Sequence, residues 1–294
     1  MKESLEAILY GQKRTIRSTE LTNYENLLYI GKLYMGSNME PVNINFDTGS
    51  YYYFCKVHDC KNCRGGYYDY SDEVGGSFRK GKGGYTEYFL DGTEIKGDFV
   101  YDTVCASSNP SSCAKDFKWL AVSRSEGLGD EEDGIIGLWS GSHKPNDDML
   151  LPKWMYKQNV IREPTFSFLL TGLDGSSYID FGTPNTSAMS NIGHLVYLDI
   201  EYNSEWWTSS ITGFKWDVDN ATEFKLDRNF AMTDTGQSCI SGPRKVMNYI
   251  GDMIFSLIEE PWGTNLETGW FKCKDRTKLP SFWLLYGGYW MEVR

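Results

Sequence analysis

The sequence predicts an all-β fold with two lobes and a few short helices. Short strand-like runs separated by glycine-rich turns follow one another from Asn26 onward. The composition includes 20 Tyr and 10 Trp, and aromatic residues favour strands. An Asp-Thr-Gly motif occurs at Asp47 and again at Asp234, each time after a strand-like run. Two matched turns, one in each half, indicate that each lobe brings one carboxylate to a shared cleft.

Length and charge narrow the classes of protein that fit. A chain of 294 residues is long enough for two domains or one large domain, and 40% hydrophobic content supports a substantial core. The net charge of −11 argues against nucleic acid as a partner. No run of apolar residues is long enough to predict a transmembrane segment. The first ten residues contain two Glu, so they are not a signal peptide. Either that signal has been removed or the native start differs.

The repeated motif has a chemical explanation. Two carboxyl groups held close together cannot both ionise easily, so one keeps its proton while the other loses it. The ionised carboxylate can take a proton from water, and the protonated one can polarise a carbonyl and later protonate a leaving amine. Gly permits a tight turn, and Thr can fix the loop by hydrogen bonding. A single copy is an ordinary strand-end turn, but two copies 187 positions apart indicate a shared site.

With these motifs, the sequence resembles the pepsin-like aspartic peptidases, the two-lobed eukaryotic family. The resemblance extends from about Tyr29 to the C-terminus. Residues 29–36 resemble the family's entry strand pair, residues 101–104 the strand that returns from its flap hairpin, and residues 133–138 the apolar-apolar-Gly segment that braces the first catalytic loop. The resemblance implies a double-barrel fold and an endopeptidase with an acidic optimum. The implied partner is a peptide or protein substrate, with no metal or organic cofactor, and the chain is expected to be a monomer.

The resemblance assigns roles to both motifs. Asp47 and Asp234 are the implied catalytic residues, and the flanking residues support the catalytic loops: Thr48, Gly49, Ser50, Thr235, Gly236, Gln237 and Ser238. The family usually has a small residue after the second Asp-Thr-Gly. Gln237 departs from that pattern, and its length changes the geometry through which it would tune Asp234.

A β-hairpin is predicted from Tyr85 to Val104, with its turn at residues 91–93. By resemblance it is the flap that closes over substrate, and its implied substrate-binding residues are Tyr88, Phe89, Leu90, Asp91, Gly92 and Thr93. Leu90 falls where the family usually has a Tyr, and Tyr88 takes that place only with a one- or two-residue insertion. Phe54 is in register with the family's flap-supporting Trp.

The predicted domains are an N-terminal arm or pro-segment remnant at 1–24, a first lobe at 25–163 and a second lobe at 164–294. The arm is basic at Lys13, Arg14 and Arg17 and has little β character. Helices are predicted at 148–160 and 245–260 from their apolar spacing. The family continues beyond the point where this sequence ends, so we expect a truncated chain or lost strands.

The seven cysteines predict three disulfides and one free thiol. By resemblance, the cluster of Cys55, Cys60 and Cys63 forms a small disulfide loop. The other candidate pairs are Cys105–Cys113 and Cys239–Cys273. Zinc is the alternative for the cluster, although its spacing lacks a clear fourth ligand. Sequons at 185–187 and 220–222 favour a glycoprotein on a secretory route. We therefore expect a zymogen-derived protein that is secreted or in an endolysosomal or vacuolar lumen.

Two other functions remain open at this point. The departures at Leu90 and Gln237 favour a catalytically weak or inactive member that binds peptides or proteins. Against that alternative, both Asp-Thr-Gly motifs are intact. A carbohydrate-binding β protein with a surface rich in Trp and Tyr is the third hypothesis.

Overall fold

The computed structural model describes residues 17–70, 76–89, 91–141, 149–184, 186, 195–216, 224–258 and 279–293. The chain divides into two compact units. The first unit comprises residues 1–196, 203–207 and 233–238, and the second comprises residues 197–202, 208–232 and 239–294. The second Asp-Thr-Gly motif therefore belongs to the same unit as the first motif. The predicted lobe boundary at residues 163–164 stays a prediction.

The first unit is built on one ten-stranded sheet and carries a short helix, α1 (Leu151–Lys157). The strand order is β5-β6-β7-β4-β8-β3-β2-β1-β10-β9, with an additional pairing between β6 and β2. The strands are β1 (Arg17–Tyr24), β2 (Leu28–Met35), β3 (Glu40–Asp47), β4 (Tyr53–Lys61), β5 (Arg79–Tyr88), β6 (Glu94–Cys105), β7 (Cys113–Glu126), β8 (Gly134–Gly137), β9 (Phe166–Leu169) and β10 (Ser177–Phe181).

The centre of this sheet is the part that holds the first motif. Strand β3 lies between β2, its antiparallel neighbour, and β8, its parallel neighbour. The last four residues of β3 and all four of β8 are buried. The two side chains of β8, Ile135 and Ile136, are both apolar, as is typical of a strand that is buried on both faces. Strand β3 is therefore held in place by both neighbouring strands, and this fixes the position of its last residue, Asp47.

Two apolar clusters stabilise the first unit. The larger one centres on aromatic side chains that are fully buried, among them Tyr53, Tyr68, Phe117 and Trp119. The smaller one lies under the β5–β6 hairpin and comprises Phe54, Ile95, Leu120, Val122, Leu128 and Ile135. Full burial of one such side chain contributes roughly 1.5–3 kcal/mol.

The described residues of the second unit form a four-stranded sheet and one helix. The strand order is β12-β11-β13-β14, from β11 (Thr208–Trp216), β12 (Phe224–Met232), β13 (Phe282–Tyr286) and β14 (Tyr289–Val293). Helix α2 (Arg244–Ile258) packs its apolar face on Phe214, Trp216 and Phe282. The predicted helix at 245–260 corresponds to α2. Its last two predicted residues, 259 and 260, lie outside the described residues.

Two sequence expectations differ from the structure. Residues 17–24 were expected to have little β character, but they form β1, which pairs with β2 and β10. Alternate side chains at Thr19 and Leu21 are buried, so the strand is held by tertiary packing that its polar composition conceals. The helix expected at 148–160 is shorter, at Leu151–Lys157. In the described part of the chain, no helix is long and apolar enough to cross a membrane.

Candidate active site

The first Asp-Thr-Gly motif lies at the C-terminal end of β3. Asp47 is 7% exposed, and its carboxylate accepts hydrogen bonds from the Gly49 amide at 2.7 Å and from the Ser50 hydroxyl. The backbone is held from the other side, because the Leu138 amide donates to the Asp47 carbonyl at 2.8 Å. Leu138 follows β8, so the 133–138 segment lies where the sequence analysis placed the brace of the first loop.

The second motif follows strand β12. The amide of Thr233 donates to the Trp207 carbonyl at 3.0 Å, and Asp234, the next residue, is half-buried. The Gly236 amide donates to the Asp234 carboxylate at 2.9 Å, as Gly49 does to the first aspartate. The two motifs differ after the glycine. Gln237 is exposed where the first motif has Ser50, and the Ser238 hydroxyl donates to the Leu27 carbonyl at 2.8 Å.

The motif threonines bind each other reciprocally. The Thr48 amide donates to the Thr235 hydroxyl at 3.1 Å, and the Thr235 amide donates to the Thr48 hydroxyl at 3.0 Å. Each hydroxyl also donates onward to a backbone carbonyl, Thr48 to Thr233 at 2.8 Å and Thr235 to Phe46 at 2.6 Å. Both hydroxyls therefore accept and donate, and the two loops are fixed against each other in a matched arrangement.

The motif glycines make the loops fit. A Cβ atom at Gly49 would collide with the carboxyl group of Asp234, and a Cβ atom at Gly236 would collide with that of Asp47. Each aspartate therefore occupies the space left by the other motif's missing side chain. This requirement for close approach explains why both motifs have glycine at this position.

Each aspartate lies against the glycine of the other motif, which brings the two carboxyl groups near each other. Burial raises the pKa of Asp47 to about 7, and the nearby Asp234 carboxyl group acts in the same direction. The hydrogen bonds from Ser50 and Gly49 oppose the rise because they favour the ionised form. Asp47 therefore holds its proton at acidic pH.

Strands β5 and β6 form the hairpin that the sequence predicts. The register ends at Tyr88 opposite Glu94, and the Phe89 amide donates to the Thr93 carbonyl at 2.9 Å. Within the turn, Gly92 has a φ of +90°, a conformation that favours glycine, and the Asp91 carboxylate accepts hydrogen bonds from the amide and hydroxyl of Thr93. Tyr88 is 70% exposed. Leu90 lies outside the described residues.

Aromatic side chains after the first motif support this hairpin. Phe54 contacts Phe89 edge-on, with ring centroids 5.9 Å apart. Tyr52 contacts Tyr85 at 5.0 Å and Phe99 at 6.0 Å, both near-perpendicular. Phe54, the residue in register with the family's flap-supporting Trp, thus packs directly against the residue that opens the turn.

Comparison with known proteins agrees with this geometry. The model of the eukaryotic aspartyl protease family matches residues 28–294. This chain belongs to that family. Family membership and the mostly β structure confirm the predicted pepsin-like fold class.

Individual aspartyl proteases are distant relatives of this chain. Chymosin of Callithrix jacchus is 23% identical, with 92% of this chain and 69% of chymosin covered. Phytepsin of Hordeum vulgare is 24% identical, with 80% and 46% covered. Plasmepsin IV of Plasmodium falciparum is 25% identical, with 79% and 50% covered. The chain thus spans between about half and two thirds of the length of these relatives.

The cysteines form two disulfides in the described part of the chain, Cys60–Cys63 and Cys105–Cys113. Cys55 is buried and has a free thiol. The Cys60–Cys63 pair gives the small loop that the resemblance implies and occupies two of the thiols that a zinc ion would need. Cys239 is exposed. Its predicted partner, Cys273, lies outside the described residues, as do Asn185 and the sequon at 220–222.

Sequence reasoning missed several residues outside the motifs whose hydrogen bonds connect or support the two motif loops. The carbonyl of Trp207 accepts a hydrogen bond from the Thr233 amide, and its indole N–H donates to the Leu138 carbonyl at 2.6 Å. Tyr51 donates its hydroxyl to Glu205 at 2.7 Å. No periodicity or motif marks these contacts. The sole signal was the unusual Trp206-Trp207 pair directly before a strand.

Proposed function

We propose that this chain is an aspartic endopeptidase that hydrolyses peptide bonds with an acidic optimum. One observation carries the proposal: the two Asp-Thr-Gly loops pack reciprocally, so that Asp47 and Asp234 each lie against the glycine of the other motif. Two unrelated surface turns would not be expected to bring their carboxyl groups together in this way. A catalytic pair requires it, because its two acids must differ in protonation at the same pH.

The asymmetry of the pair assigns the roles. Asp47, buried and with a raised pKa, is the protonated acid, and the half-buried Asp234 is the base. Asp234 takes a proton from a water molecule, whose oxygen attacks the peptide carbonyl carbon, while Asp47 gives its proton to the carbonyl oxygen. The tetrahedral intermediate then returns one proton to Asp47. Asp234 passes the proton that it took from water to the amine nitrogen as the C–N bond breaks. In this scheme the leaving amine is protonated by Asp234, whereas the motif alone suggested the acid that polarises the carbonyl. Both aspartates end in their starting states.

The surroundings of the pair have supporting roles. Thr48 and Thr235 hold the loops, Gly49 and Gly236 allow the carboxyl groups to approach, and Ser50 stabilises the ionised form of Asp47. The β5–β6 hairpin covers the substrate and excludes water, through the turn residues Tyr88, Phe89, Asp91, Gly92 and Thr93 together with Leu90. The substrate is a peptide or protein in an extended conformation.

The proposed setting is a secretory or acidic luminal compartment. Disulfides persist in oxidising compartments, and the two in the described part of the chain support this setting. We also propose that the protein is glycosylated, is made as a zymogen and acts as a monomer, with lobes at residues 25–163 and 164–294 after the N-terminal arm.

The test is cleavage of a denatured protein substrate between pH 3 and 6, with and without pepstatin. Asp47→Asn and Asp234→Asn should each lower the rate at least about a hundredfold, because general acid–base catalysis contributes that much or more. Asp116→Asn is the matched control, since Asp116 is an exposed aspartate that pairs with Arg79. Pepstatin-sensitive cleavage by the unmodified chain and the control alone supports the proposal. No cleavage by the correctly folded chain would overturn it.

One observation favours the second candidate, a weak or inactive member that binds peptides. The second motif has Gln237 in the place of Ser50, and the Ser238 hydroxyl is bonded to the Leu27 carbonyl. This candidate predicts that peptides bind without being cleaved. Fluorescence anisotropy with a labelled peptide library, run beside the cleavage assay, separates the two functions.

A further inference from the structure

A short segment, residues 203–207, lies against the first motif within the first unit. Hydrogen bonds between described residues hold it there. The Ser140 amide donates to the Glu205 carbonyl at 3.2 Å, the Tyr51 hydroxyl donates to the Glu205 carboxylate at 2.7 Å, and the Trp207 indole donates to the Leu138 carbonyl at 2.6 Å. The segment is therefore attached to the backbone just after β8 and to the residue that follows Ser50.

Trp207 differs from the rest of the segment because it also contacts the second motif. Its carbonyl accepts the Thr233 amide at 3.0 Å, one residue before Asp234. Its indole is bound to Leu138, whose own amide donates to the carbonyl of Asp47 at 2.8 Å. A continuous chain of three hydrogen bonds and two residues thus connects the backbones of the two motif loops. Its donors and acceptors differ from those of the threonine pair, and the two connections meet at Thr233, whose carbonyl accepts from Thr48 and whose amide donates to Trp207.

The ring of Trp207 is fixed in this position. It packs edge-on against Phe166 of β9, with ring centroids 5.5 Å apart and planes at 88°. Phe166 in turn packs against the main apolar cluster. Indole is a donor only, with one N–H group, so its orientation decides whether the bond to Leu138 forms. The contact with Phe166 therefore orients the indole N–H of Trp207 towards the Leu138 carbonyl.

We propose that Trp207 is a positioning residue that sets the separation of the two aspartates by linking the backbone behind Asp47 to the backbone before Asp234. This inference rests on the proposed function for its consequence in catalysis, but the linkage itself can be measured in an inactive protein. The threonine bonds hold the two loops together where the motifs touch. The Trp207 link joins the same loops through the residues next to them, Leu138 and Thr233. The two connections together restrict rotation of one loop relative to the other more than the threonine bonds alone.

The separation of the carboxyl groups has a measurable effect. Burial has the largest influence on the pKa of Asp47 and raises it, the Asp234 carboxyl group raises it further, and the hydrogen bonds from Ser50 and Gly49 lower it. If the link is removed, the second loop moves away and the influence of Asp234 weakens, while water gains access to Asp47. Both changes lower the pKa of Asp47 towards that of an ordinary aspartate.

Trp207→Phe tests the proposal because it removes the donor and keeps an aromatic ring against Phe166. Trp206→Phe is the matched control: Trp206 is the adjacent tryptophan and packs on Tyr51 with ring centroids 4.4 Å apart. The first readout is the titration of the Asp47 carboxyl carbon by NMR in protein labelled with ¹³C-aspartate, assigned with Asp47→Asn. We expect the pKa of Asp47 to fall by about one unit in Trp207→Phe, comparable to the free energy of one hydrogen bond, and to stay in place in the control.

The second readout is kinetic. Misplacement of catalytic groups by about 1 Å can cost a hundredfold in rate, so we expect kcat to fall about 10- to 100-fold in Trp207→Phe while KM changes less than about twofold. An unchanged titration of Asp47 in folded Trp207→Phe overturns the proposal. If the unmodified chain is inactive, the proposed function fails, and the titration still decides the linkage.

A measurement on the unmodified chain covers the case in which Trp207→Phe does not fold. The indole proton of Trp207, assigned through its nuclear Overhauser contacts to the Phe166 ring, should exchange with solvent far more slowly than an exposed indole, because it is held in a 2.6 Å hydrogen bond. Slow exchange supports the link. Exchange at the rate of a free indole overturns it.

Discussion

The raised pKa of Asp47 predicts how the stability of this protein depends on pH. In the unfolded chain Asp47 ionises around its ordinary value of 3.8, whereas in the folded protein it keeps its proton up to about pH 7. A carboxyl group with a raised pKa makes its full contribution to stability below pH 4, and that contribution is lost as the pH rises to 7. A shift of about three units at 1.36 kcal/mol each sets an upper bound of about 4 kcal/mol on the loss.

Urea unfolding at pH 4 and pH 7 measures this loss, in the unmodified chain and in Asp47→Asn. Asparagine does not titrate, so the variant should lose less stability than the unmodified chain over this range, by up to about 4 kcal/mol. Asp116→Asn serves as the control and should lose as much as the unmodified chain. Glu132 adds a loss of the same sign, because burial also raises its pKa, and Glu132→Gln in both backgrounds removes that contribution.

Two results would refute this reasoning. One is an equal loss of stability in Asp47→Asn and in the unmodified chain. The other is a gain in stability of the unmodified chain, relative to the variant, as the pH rises from 4 to 7. The first would mean that the pKa of Asp47 is the same in the folded and the unfolded chain. The second would mean that the folded protein stabilises the charged form of Asp47, so that its hydrogen bonds outweigh its burial.

Three further predictions follow from the packing around the site. Thr235→Val should lower the free energy of unfolding by about 1–3 kcal/mol, because it leaves backbone groups of the first motif unpaired, whereas Thr235→Ser should retain most of it in the same urea titration. Gly49→Ala should lower peptide cleavage at least about a hundredfold, because the new methyl group displaces the facing aspartate. Gly172→Ala, where little surrounds a Cβ atom, should cleave normally. Phe54→Ala should cost about 3–5 kcal/mol by thermal or urea unfolding and expose the hairpin to proteolysis, and the exposed Phe230→Ala should cost less than about 0.5 kcal/mol. A loss from Phe54→Ala no larger than that control's would contradict the packing.

Local patterns were sufficient to predict the features that the chain encodes locally. The hairpin turn at residues 91–93 follows from Asp-Gly between two strand-like runs, and α2 follows from apolar spacing that ends before a proline. The paired motifs predicted one shared site because both were complete in the sequence, and the catalytic role of Asp47 and Asp234 stays a prediction. That prediction needed two copies, since one Asp-Thr-Gly carries little information.

Features that depend on distant partners were not predictable. Lys56 appears as an ordinary charged residue in the sequence, yet it is fully buried and donates to the carbonyls of Arg64 and Gly129, tying two loops together. Strand β1 looks polar because only every second residue faces the core. Trp207 has partners 69 positions upstream and 26 positions downstream. Such contacts arise from tertiary packing between distant residues, and they leave no recognisable pattern in a single sequence.

The reciprocal threonine bonds have a consequence for how the protein is made. They join residues 187 positions apart, so neither loop can reach its final geometry while the second is still unsynthesised. Translation proceeds at about 5–20 residues per second, and the first aspartate therefore leaves the ribosome about 10–40 s before its partner. During that interval the nascent chain carries only the first of the two motifs. The hydrogen bonds that fix the first loop against the second therefore form only after the second motif has been synthesised.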